Sequence, residues 1–315
     1  MTRERVLIVG GAGYIGGHMT DCLHHAGFSV TIYDNLLFEN RYMKEVDFVY
    51  GDIRDKRKLS TLLKNQDVVI WLAGLVGDGA CAVNAPLTRE LNVDCPKWLV
   101  DNFNGKIVFP STCSVYGINN DLITEDAEPN PLSLYAATKL EAEQYILNNA
   151  KDPMVFRLGT LYGLGDLHSR IRLDLVVNIL SMRAARGEPL TVFGGEQWRP
   201  LLHVRDAAEA FVFSIEKNLS GLYNLSRENY QIKDLAHEIA KIVPNTNIQY
   251  VDMKFEDLRN YKVNNSRILN TGWESKYSLE CGISQIYQII DTKRLKNIND
   301  IVYSNAKYMS WLEET

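Results

Sequence analysis

The stretch Gly-Gly-Ala-Gly-Tyr-Ile-Gly at residues 10–16 decides how the start of this chain folds. It follows the apolar run at residues 5–9, which predicts a buried strand, and it opens a helical pattern over residues 14–26. A glycine-rich turn between a strand and a helix can bind phosphate, because small residues let the backbone approach and the helix N-terminus offers free N–H groups. Gly10, Gly13 and Gly16 are spaced Gly-x-x-Gly-x-x-Gly and predict a pyrophosphate cradle.

An acidic residue, Asp34, ends the second predicted strand at residues 29–33. A carboxylate about 20 residues past such a turn can accept hydrogen bonds from the adenosine ribose of NAD and would repel the 2′-phosphate of NADP. The alternative is a glycine C-cap followed by an ordinary turn aspartate. Strand, turn, helix, strand and acid occur in the order that a dinucleotide site requires, so the sequence predicts NAD as the cofactor.

The composition limits the classes of protein to which the chain can belong. Its 315 residues are 46% hydrophobic and 23% charged, which is ordinary for a soluble protein with room for two lobes. A formal net charge of −5 without a basic stripe makes nucleic acid an unexpected partner. No apolar run reaches membrane-spanning length and no signal peptide is recognised, so we expect a cytoplasmic protein. The five cysteines form no Cys-x-x-Cys pair, and we expect no metal.

Strands and helices alternate through the first half of the chain. Further strands are predicted at residues 46–50, 67–72, 106–109 and 154–157, and helices at 56–65, 86–103 and 133–150. This alternation predicts an α/β fold with a Rossmann-type doubly wound parallel sheet, which binds ligands at the carboxyl ends of its strands. We expect an NAD-binding domain over residues 1–160 and a smaller C-terminal α/β substrate lobe over residues 161–315, with strands or helices exchanged between them.

The second lobe shows a looser pattern. Helices are predicted at residues 173–186, 206–217, 232–242 and 282–290, and a closing helix pair within residues 291–315.

Three side chains are the candidates for chemistry. Thr112 follows the strand at residues 106–109, and Tyr135 and Lys139 lie four residues apart on a predicted helix. Residues with this spacing share a helix face, so both side chains can point into one cleft. A nearby ammonium group and an oxidised nicotinamide would favour the phenolate of Tyr135, which could take a proton from a sugar hydroxyl while hydride leaves for the nicotinamide. Thr112 would hold the same substrate oxygen by a hydrogen bond.

The Tyr-x-x-x-Lys spacing alone is common in a chain with 16 tyrosines. It recurs at Tyr250 with Lys254 and at Tyr303 with Lys307, but neither pair follows a strand-end hydroxyl within a βαβ pattern. The alternative for Tyr135 is a half-buried helix tyrosine beside a surface lysine. Its place after the Thr112 strand favours the catalytic interpretation.

The motifs in this order resemble the extended short-chain dehydrogenase/reductase family, in its group of nucleotide-sugar epimerases and dehydratases, which includes UDP-galactose 4-epimerase. The likeness rests on residues 10–16, Asp34, Gly-Asp-Ile at 51–53, Leu-Ala at 72–73, Asn-Val at 92–93, Ser-Thr-x-x-Val-Tyr-Gly at 111–117 and the Tyr135–Lys139 pair. It covers nearly the whole chain. The cofactor-binding residues that the resemblance implies are Gly10, Gly13, Tyr14, Ile15, Gly16, Asp34, Asn35, Asp52, Ile53, Leu72, Ala73, Gly74, Asn92, Tyr135 and Lys139.

The same resemblance implies a substrate site in the second lobe. Phe193 would lie on the nucleotide base, and Arg199 would hold the diphosphate, a task that suits a guanidinium fork. Lys254 would replace a phosphate-binding arginine, and Asp257 would meet the nucleotide ribose. Thr160 and Arg172 are further candidates for contacts with the substrate, whereas His203 is structural in this family pattern.

Departures from the family pattern narrow the expected reaction. Sugar 4,6-dehydratases carry Asp-Glu after the catalytic threonine, where this chain has Cys113 and Ser114. Cys113 is one residue away from the position of the cysteine base in GDP-sugar 3,5-epimerases, so it is expected to be a small buried residue. Val76 stands where 4-epimerases have a lysine near the cofactor. What remains is oxidation or reduction at C4 of a nucleotide-activated sugar, by a 4-epimerase or by a 4-dehydrogenase whose NADH is reoxidised by a second substrate.

The segments at residues 170–178 and 197–200 resemble a bacterial branch that modifies unusual sugars for surface and capsular polysaccharides, including GDP-heptose 4-dehydrogenases. Arg170 and Arg172 could bind phosphates from that loop, the alternative being a solvated basic loop. His168 has no assignable role. The resemblance thus favours a GDP-linked substrate, with a UDP-linked hexose and a 4-epimerase as the alternative.

Two further expectations follow from the family. Some members of the superfamily bind NAD without catalysis or sense redox state, but they typically lack the Tyr135–Lys139 pair. The helices predicted at 86–103 and 133–150 are expected to pair with their symmetry mates as a four-helix bundle in a homodimer or homotetramer.

Overall fold

The computed structural model describes residues 4–251 and 259–315 of the chain. The first half alternates strands and helices, as the sequence predicts. Its elements are β1 (Arg5–Val9), α1 (Gly16–His25), β2 (Ser29–Asp34), β3 (Asp47–Tyr50), α2 (Lys56–Leu63), β4 (Val68–Trp71), α3 (Asp78–Val83), α4 (Ala85–Arg89), a π-helical turn (Glu90–Asp94), α5 (Cys95–Asn102), β5 (Lys106–Thr112), a 3-10 turn (Cys113–Tyr116), β6 (Ile118–Ile123), α6 (Leu134–Asn149) and β7 (Asp152–Leu158).

The second half has shorter strands. Its elements are β8 (Thr160–Tyr162), α7 (Val176–Ala185), β9 (Leu190–Phe193), β10 (Trp198–His203), α8 (Val204–Glu216), β11 (Gly221–Leu225), β12 (Glu228–Gln231), α9 (Ile232–Ile242), β13 (Ile248–Val251), β14 (Asn260–Val263), α10 (Ser266–Leu269), α11 (Leu279–Asp291), a 3-10 turn (Ile301–Tyr303) and α12 (Asn305–Glu314). None of the helices in the described ranges is long and apolar enough to cross a membrane.

A seven-stranded parallel sheet organises the molecule, in the order β11-β7-β5-β4-β1-β2-β3. This is the Rossmann-type doubly wound fold that the sequence predicts. Strand β11 joins its edge, although it lies beyond residue 160. Three smaller sheets accompany it, with strand orders β12-β10-β8, β13-β9 and β14-β6.

Both faces of the large sheet are covered. Val6 and Ile8 lie in one apolar cluster with side chains of α1 and α8, while Leu7 and Val9 lie in another with side chains of α2, α5 and α6. All four are fully buried, which is typical of a central strand in a parallel sheet with helices on both sides.

Two predicted elements differ from the structure. The helix predicted over residues 86–103 is divided by the π-helical turn, because Pro96 has no N–H with which to continue the α-helical hydrogen bonding. The closing pair predicted within residues 291–315 is a 3-10 turn followed by the single helix α12.

A buried ion pair ties α6 to β7. The Arg157 guanidinium donates to the Glu143 carboxylate, with Nη2–Oε1 at 2.6 Å and Nε–Oε1 at 3.0 Å. The side chains are 4% and 1% exposed. Arg157 Nη1 also donates to the Tyr116 hydroxyl at 2.8 Å. Nη1 donates as well to the Glu125 carbonyl at 3.3 Å, so each guanidinium nitrogen has a hydrogen-bond partner.

We expect Glu143→Ala to lower the free energy of unfolding by about 3–5 kcal/mol, because it leaves the Arg157 charge buried without its counter-charge. The measurement is equilibrium denaturation in urea. Glu196→Ala is the control, since Glu196 is exposed and its partner Lys233 is partly exposed, and its loss of stability should stay below about 1 kcal/mol. Equal losses of unfolding free energy in the two variants would show that the Arg157–Glu143 pair contributes no more than an exposed pair.

Candidate active site

The glycine turn after β1 is shaped by backbone contacts. Gly10 has φ +82°, and a Cβ added there would lie 2.5 Å from Ala73 N. A Cβ on Gly16 would lie 2.4 Å from Gly11 O. Gly13 differs, since a Cβ there would meet only Gly10 O, at 3.7 Å. Gly10 and Gly16 therefore let the chain pack tightly, and Gly13 leaves room for a phosphate on the cavity side.

The turn opens into a cavity of about 1030 Å³ along the carboxyl ends of the strands. The ends of β1, β2, β4 and β5 all reach it, at Gly10, Asp34, Ala73 and Ser111. Its volume lies at the upper limit of the usual range for small-molecule and cofactor sites. The sequence-predicted site residues that line it are Gly10, Gly13, Tyr14, Ile15, Gly16, Asp34, Asn35, Asp52, Ile53, Leu72, Ala73, Gly74, Asn92, Thr112, Tyr135, Lys139, Thr160, Arg172, Phe193 and Arg199. Lys254 and Asp257 lie outside the described residues.

Asp34 stands at the mouth of the cradle. Its Oδ2 accepts the Ala12 N–H at 3.0 Å and its Oδ1 accepts the Leu36 N–H at 2.7 Å. Burial raises the pKa of Asp34, and these N–H groups act in the opposite direction. A carboxylate held beside an open glycine turn is the donor and acceptor set that an adenosine ribose and a pyrophosphate require, so these residues fit NAD.

Asn92 and Asp52 are engaged with the protein itself. The Asn92 amide accepts the Leu75 N–H at 2.8 Å and donates to the Leu75 carbonyl at 2.9 Å, so it shapes the loop after β4. The Asp52 carboxylate pairs with Arg54 at 2.7 Å, and this contact lowers the pKa of Asp52.

Thr112, Tyr135 and Lys139 meet on one wall of the cavity. Thr112 is the last residue of β5, and its Oγ1 accepts the Ser114 N–H at 3.1 Å. Ser133 caps α6, where its Oγ accepts the Ala136 N–H at 3.2 Å, and so places Tyr135 in the first turn. Lys139 lies one turn later, with its Nζ 3.9 Å from the centre of the Phe109 ring.

Burial is the main cause of the pKa shifts of Tyr135 and Lys139. It raises the pKa of Tyr135, which a hydrogen bond from Thr112 lowers and the charge of Asp78 raises further. It also lowers the pKa of Lys139 to about 7. The sequence-based expectation named the ammonium as a cause of phenolate formation, but desolvation opposes both charged forms here. The phenolate is therefore favoured when a positively charged ring occupies the cavity.

Arg199 and Phe193 of the second half of the chain also line the cavity. Arg199 is 7% exposed, and its Nη1 donates to the Trp198 carbonyl at 2.9 Å and to the Arg259 carbonyl. Phe193 is half-buried at the end of β9. Arg172 forms a paired contact with Asp174 at 2.6 and 3.1 Å. The solvated-loop alternative for this segment is wrong, because Arg172 is buried.

The other tyrosines with a Tyr-x-x-x-Lys spacing lie outside this cavity, and His203 and Cys113 are buried. Tyr250 is 56% exposed and contacts His237 at 2.9 Å, and neither it nor Tyr303 lines this cavity. His203 is buried, with Nε2 on Gln285 Oε1 at 3.1 Å and Nδ1 accepting the Arg205 N–H, as a structural residue would be. Cys113 is buried, and burial raises the pKa of its thiol.

Sequence reasoning missed a charged group beside Tyr135. Asp78, the first residue of α3, pairs with Arg259 Nη1 at 2.9 Å and accepts the Ser133 hydroxyl at 2.6 Å. Both Asp78 and Arg259 line the cavity. The only sequence signal was that Arg259 follows Asp257 closely. The residues of α12 that line the cavity carried no signal at all.

Comparisons with known proteins agree with this geometry. Residues 6–226 match the model of the NAD dependent epimerase/dehydratase family. The chain is 26% identical to a UDP-glucose 4-epimerase of Rhizobium meliloti (strain 1021), over 89% of this chain and 94% of the relative. It is 26% identical to a UDP-N-acetyl-alpha-D-glucosaminuronate decarboxylase of Bacillus cytotoxicus, over 86% of this chain and 95% of that protein.

A solved structure shows the same fold. The UDP-glucose 4-epimerase of Thermus thermophilus, in complex with NAD, superposes with a TM-score of 0.78 at 26% identity, covering 91% of this chain and 98% of the other. NAD is thus the cofactor that the glycine turn and Asp34 serve in this chain. Its fold, its cofactor cradle and the family match over residues 6–226 show that the chain belongs to the NAD dependent epimerase/dehydratase family.

Proposed function

We propose that this enzyme oxidises the C4 hydroxyl of a nucleotide-diphosphate sugar. The observation that carries the proposal is the shared cavity, which is lined by Tyr135, by the glycine cradle and by the buried Arg199. NAD supplies the acceptor for the sugar hydride when it is bound. A non-catalytic NAD-binding or redox-sensing role accounts less well for Thr112, Tyr135 and Lys139 lining that one cavity.

Each side chain of the site has its own role in the proposed reaction. The Tyr135 oxygen takes the proton of the sugar hydroxyl, and the Thr112 hydroxyl holds the substrate oxygen. Lys139, desolvated above Phe109, supplies positive charge when protonated. Asp78 with Arg259 borders the sugar position and fixes the polarity of that wall. Cys113 and Ser114 provide no acid and base for elimination of water, so the proposed reaction stops at redox chemistry.

The relatives support a 4-epimerase, in which hydride returns to the other face of the ketosugar. Two of them are named as UDP-glucose 4-epimerases.

The second candidate is a 4-dehydrogenase of the GDP-heptose type, for surface or capsular polysaccharide. It is favoured by the cavity wall near Phe193. Gln197 Nε2 lies 3.4 Å from the Phe193 carbonyl, and the buried Gln197 Oε1 accepts no hydrogen bond among the described residues. Arg183 lines the same cavity and has no charged partner within the described ranges. An arginine fork matches guanine O6 and N7, and an amide oxygen matches guanine N–H donors.

Tyr135→Phe should reduce turnover by about 10² to 10⁴, because it removes the proton acceptor and leaves the cavity otherwise intact. NADH affinity should change little. The measurement is the absorbance of NADH during single turnover with nucleotide sugars. The matched controls are Tyr250→Phe and Tyr303→Phe, which should stay active. A Tyr135→Phe variant within twofold of the parent enzyme would exclude Tyr135 as the base.

Arg199→Ala should weaken nucleoside-diphosphate binding about ten- to hundredfold, the loss of a charge-assisted paired contact. Arg199→Lys should restore part of it, since an ammonium cannot reproduce the paired geometry. Calorimetric titration with GDP and UDP measures both variants, and NADH is the internal control that should bind as before. Unchanged GDP and UDP binding would show that the substrate lobe has been assigned wrongly. In the parent enzyme, a preference for UDP over GDP supports the 4-epimerase.

We further propose a homodimer or homotetramer that pairs α5 and α6 with their symmetry mates. On α6, Ala137 is exposed and Leu134, Leu140 and Tyr145 are half-buried, which leaves an apolar strip available to a partner. Ala142 and Ile146 are buried within the chain, so the strip is narrower than the sequence suggests. Light scattering at micromolar concentration should give at least the dimer mass. A monomer mass would refute the assembly.

A further inference from the structure

The start of the C-terminal helix lies inside the cofactor cavity. Ser304, Asn305 and Ala306 line the same cavity as the glycine turn and Asp34. Met309, one turn later, is 3% exposed and packs in an apolar cluster that includes Leu75 and Tyr135. The last helix of the chain is therefore part of the wall around the cofactor cavity.

Asn305 joins three segments of the chain. Its backbone N–H donates to Asp174 Oδ2 at 2.8 Å, and its Nδ2 donates to the Val76 carbonyl at 2.8 Å. Its Oδ1 accepts a hydrogen bond from Arg170 Nη2. Both polar atoms of its side chain are thus used, and the residue is 4% exposed.

Arg170 contacts the loop after β2, through Phe38 and Glu39. Its guanidinium lies 4.0 Å from the centre of the Phe38 ring, and its Nη1 donates to the Val302 carbonyl at 2.6 Å. Its backbone N–H donates to the Glu39 carboxylate at 2.9 Å. We call Phe38, Glu39, Val76, Arg170 and Asn305 the clasp.

The clasp bridges two loops that line the cavity. One is the loop after β2, which begins at Asn35, and the other is the loop after β4, which begins at Leu72. Residues of both loops line the cavity beside the glycine turn. Asn305 and Arg170 thus connect the two loops, through the Val76 carbonyl on one side and through Phe38 and Glu39 on the other.

We propose that Arg170 and Asn305 are cofactor-retaining residues, and that NAD exchange requires α12 to leave the clasp. This role concerns the cofactor alone and does not depend on the proposed sugar reaction. It places Arg170 in the cofactor site, whereas the sequence offered it for substrate phosphate.

The test uses the full-length protein loaded with NADH. Excess NAD is mixed in by stopped flow, and the fall of NADH fluorescence gives the dissociation rate. Asn305→Ala and Arg170→Ala should each raise that rate about tenfold or more, since each removes two part-buried side-chain hydrogen bonds around the clasp. The dissociation rate of Arg170→Lys should lie between those of the parent protein and Arg170→Ala, because an ammonium keeps the charge but loses the paired donors.

The chain offers a matched control. Arg186 Nη1 donates to Asn299 Oδ1 at 3.0 Å. This is again an arginine bonded to an asparagine of the C-terminal segment, but the contact is exposed and neither residue lines the cavity. Arg186→Ala should leave the dissociation rate within twofold of the parent. If it raises the rate as much as Arg170→Ala does, the effect is general loosening of the C-terminus and the proposal fails.

A second measurement needs no variant. Hydrogen exchange of the parent protein should show slower exchange of the amides in α12 when NADH is bound, because a seated cofactor and a closed clasp stabilise each other. Equal exchange in α12 with and without NADH would overturn the proposal, even if every variant failed to fold.

Discussion

The close approach of the turn after β1 to the end of β4 is the constraint on which the site depends. Gly10 N donates to the Tyr33 carbonyl at 2.8 Å, and Ala73 N donates to the Val9 carbonyl at 2.9 Å. No side chain fits between Gly10 and Ala73. These backbone contacts fix the glycine cradle relative to Asp34 on one side and to the loop after β4 on the other. The cofactor cleft is therefore positioned by the main chain, which leaves the surrounding side chains free to determine the reaction.

Helix α6 links that frame to the chemistry. Tyr135, Lys139 and Glu143 follow one another at intervals of four residues along it. Glu143 anchors the helix to β7 through Arg157, and this contact sets the rotation at which the other two side chains face the cavity. The same burial that makes the anchor strong removes water from Lys139, which is why its pKa falls to about 7. Stability and reactivity thus arise from one packed helix.

Local signals in the sequence were sufficient for the large sheet and its cradle. Strand β1, the glycine turn and Asp34 lie within residues 5–34, where periodicity and turn chemistry act over short distances. The contribution of α12 could not be predicted in this way, because Asn305 and Val76 are 229 residues apart and neither carries a motif. The desolvation of Lys139 was equally hidden, since it depends on how Phe109 and the neighbouring elements pack. The break in the helix before Pro96 was not predicted, since the sequence favoured one helix over residues 86–103.

The place of β11 in the large sheet has a consequence for biosynthesis. It pairs with β7 from Met154–Gly221 to Leu158–Leu225, so the strand that completes this edge is made long after its partner. While the ribosome is still translating the intervening region, β7 presents a row of unpaired N–H and C=O groups, which is a template for aggregation. The cofactor-binding sheet is consequently not finished as an N-terminal unit. Once residues 221–225 have been made, β11 pairs with β7 and becomes the edge strand in its place.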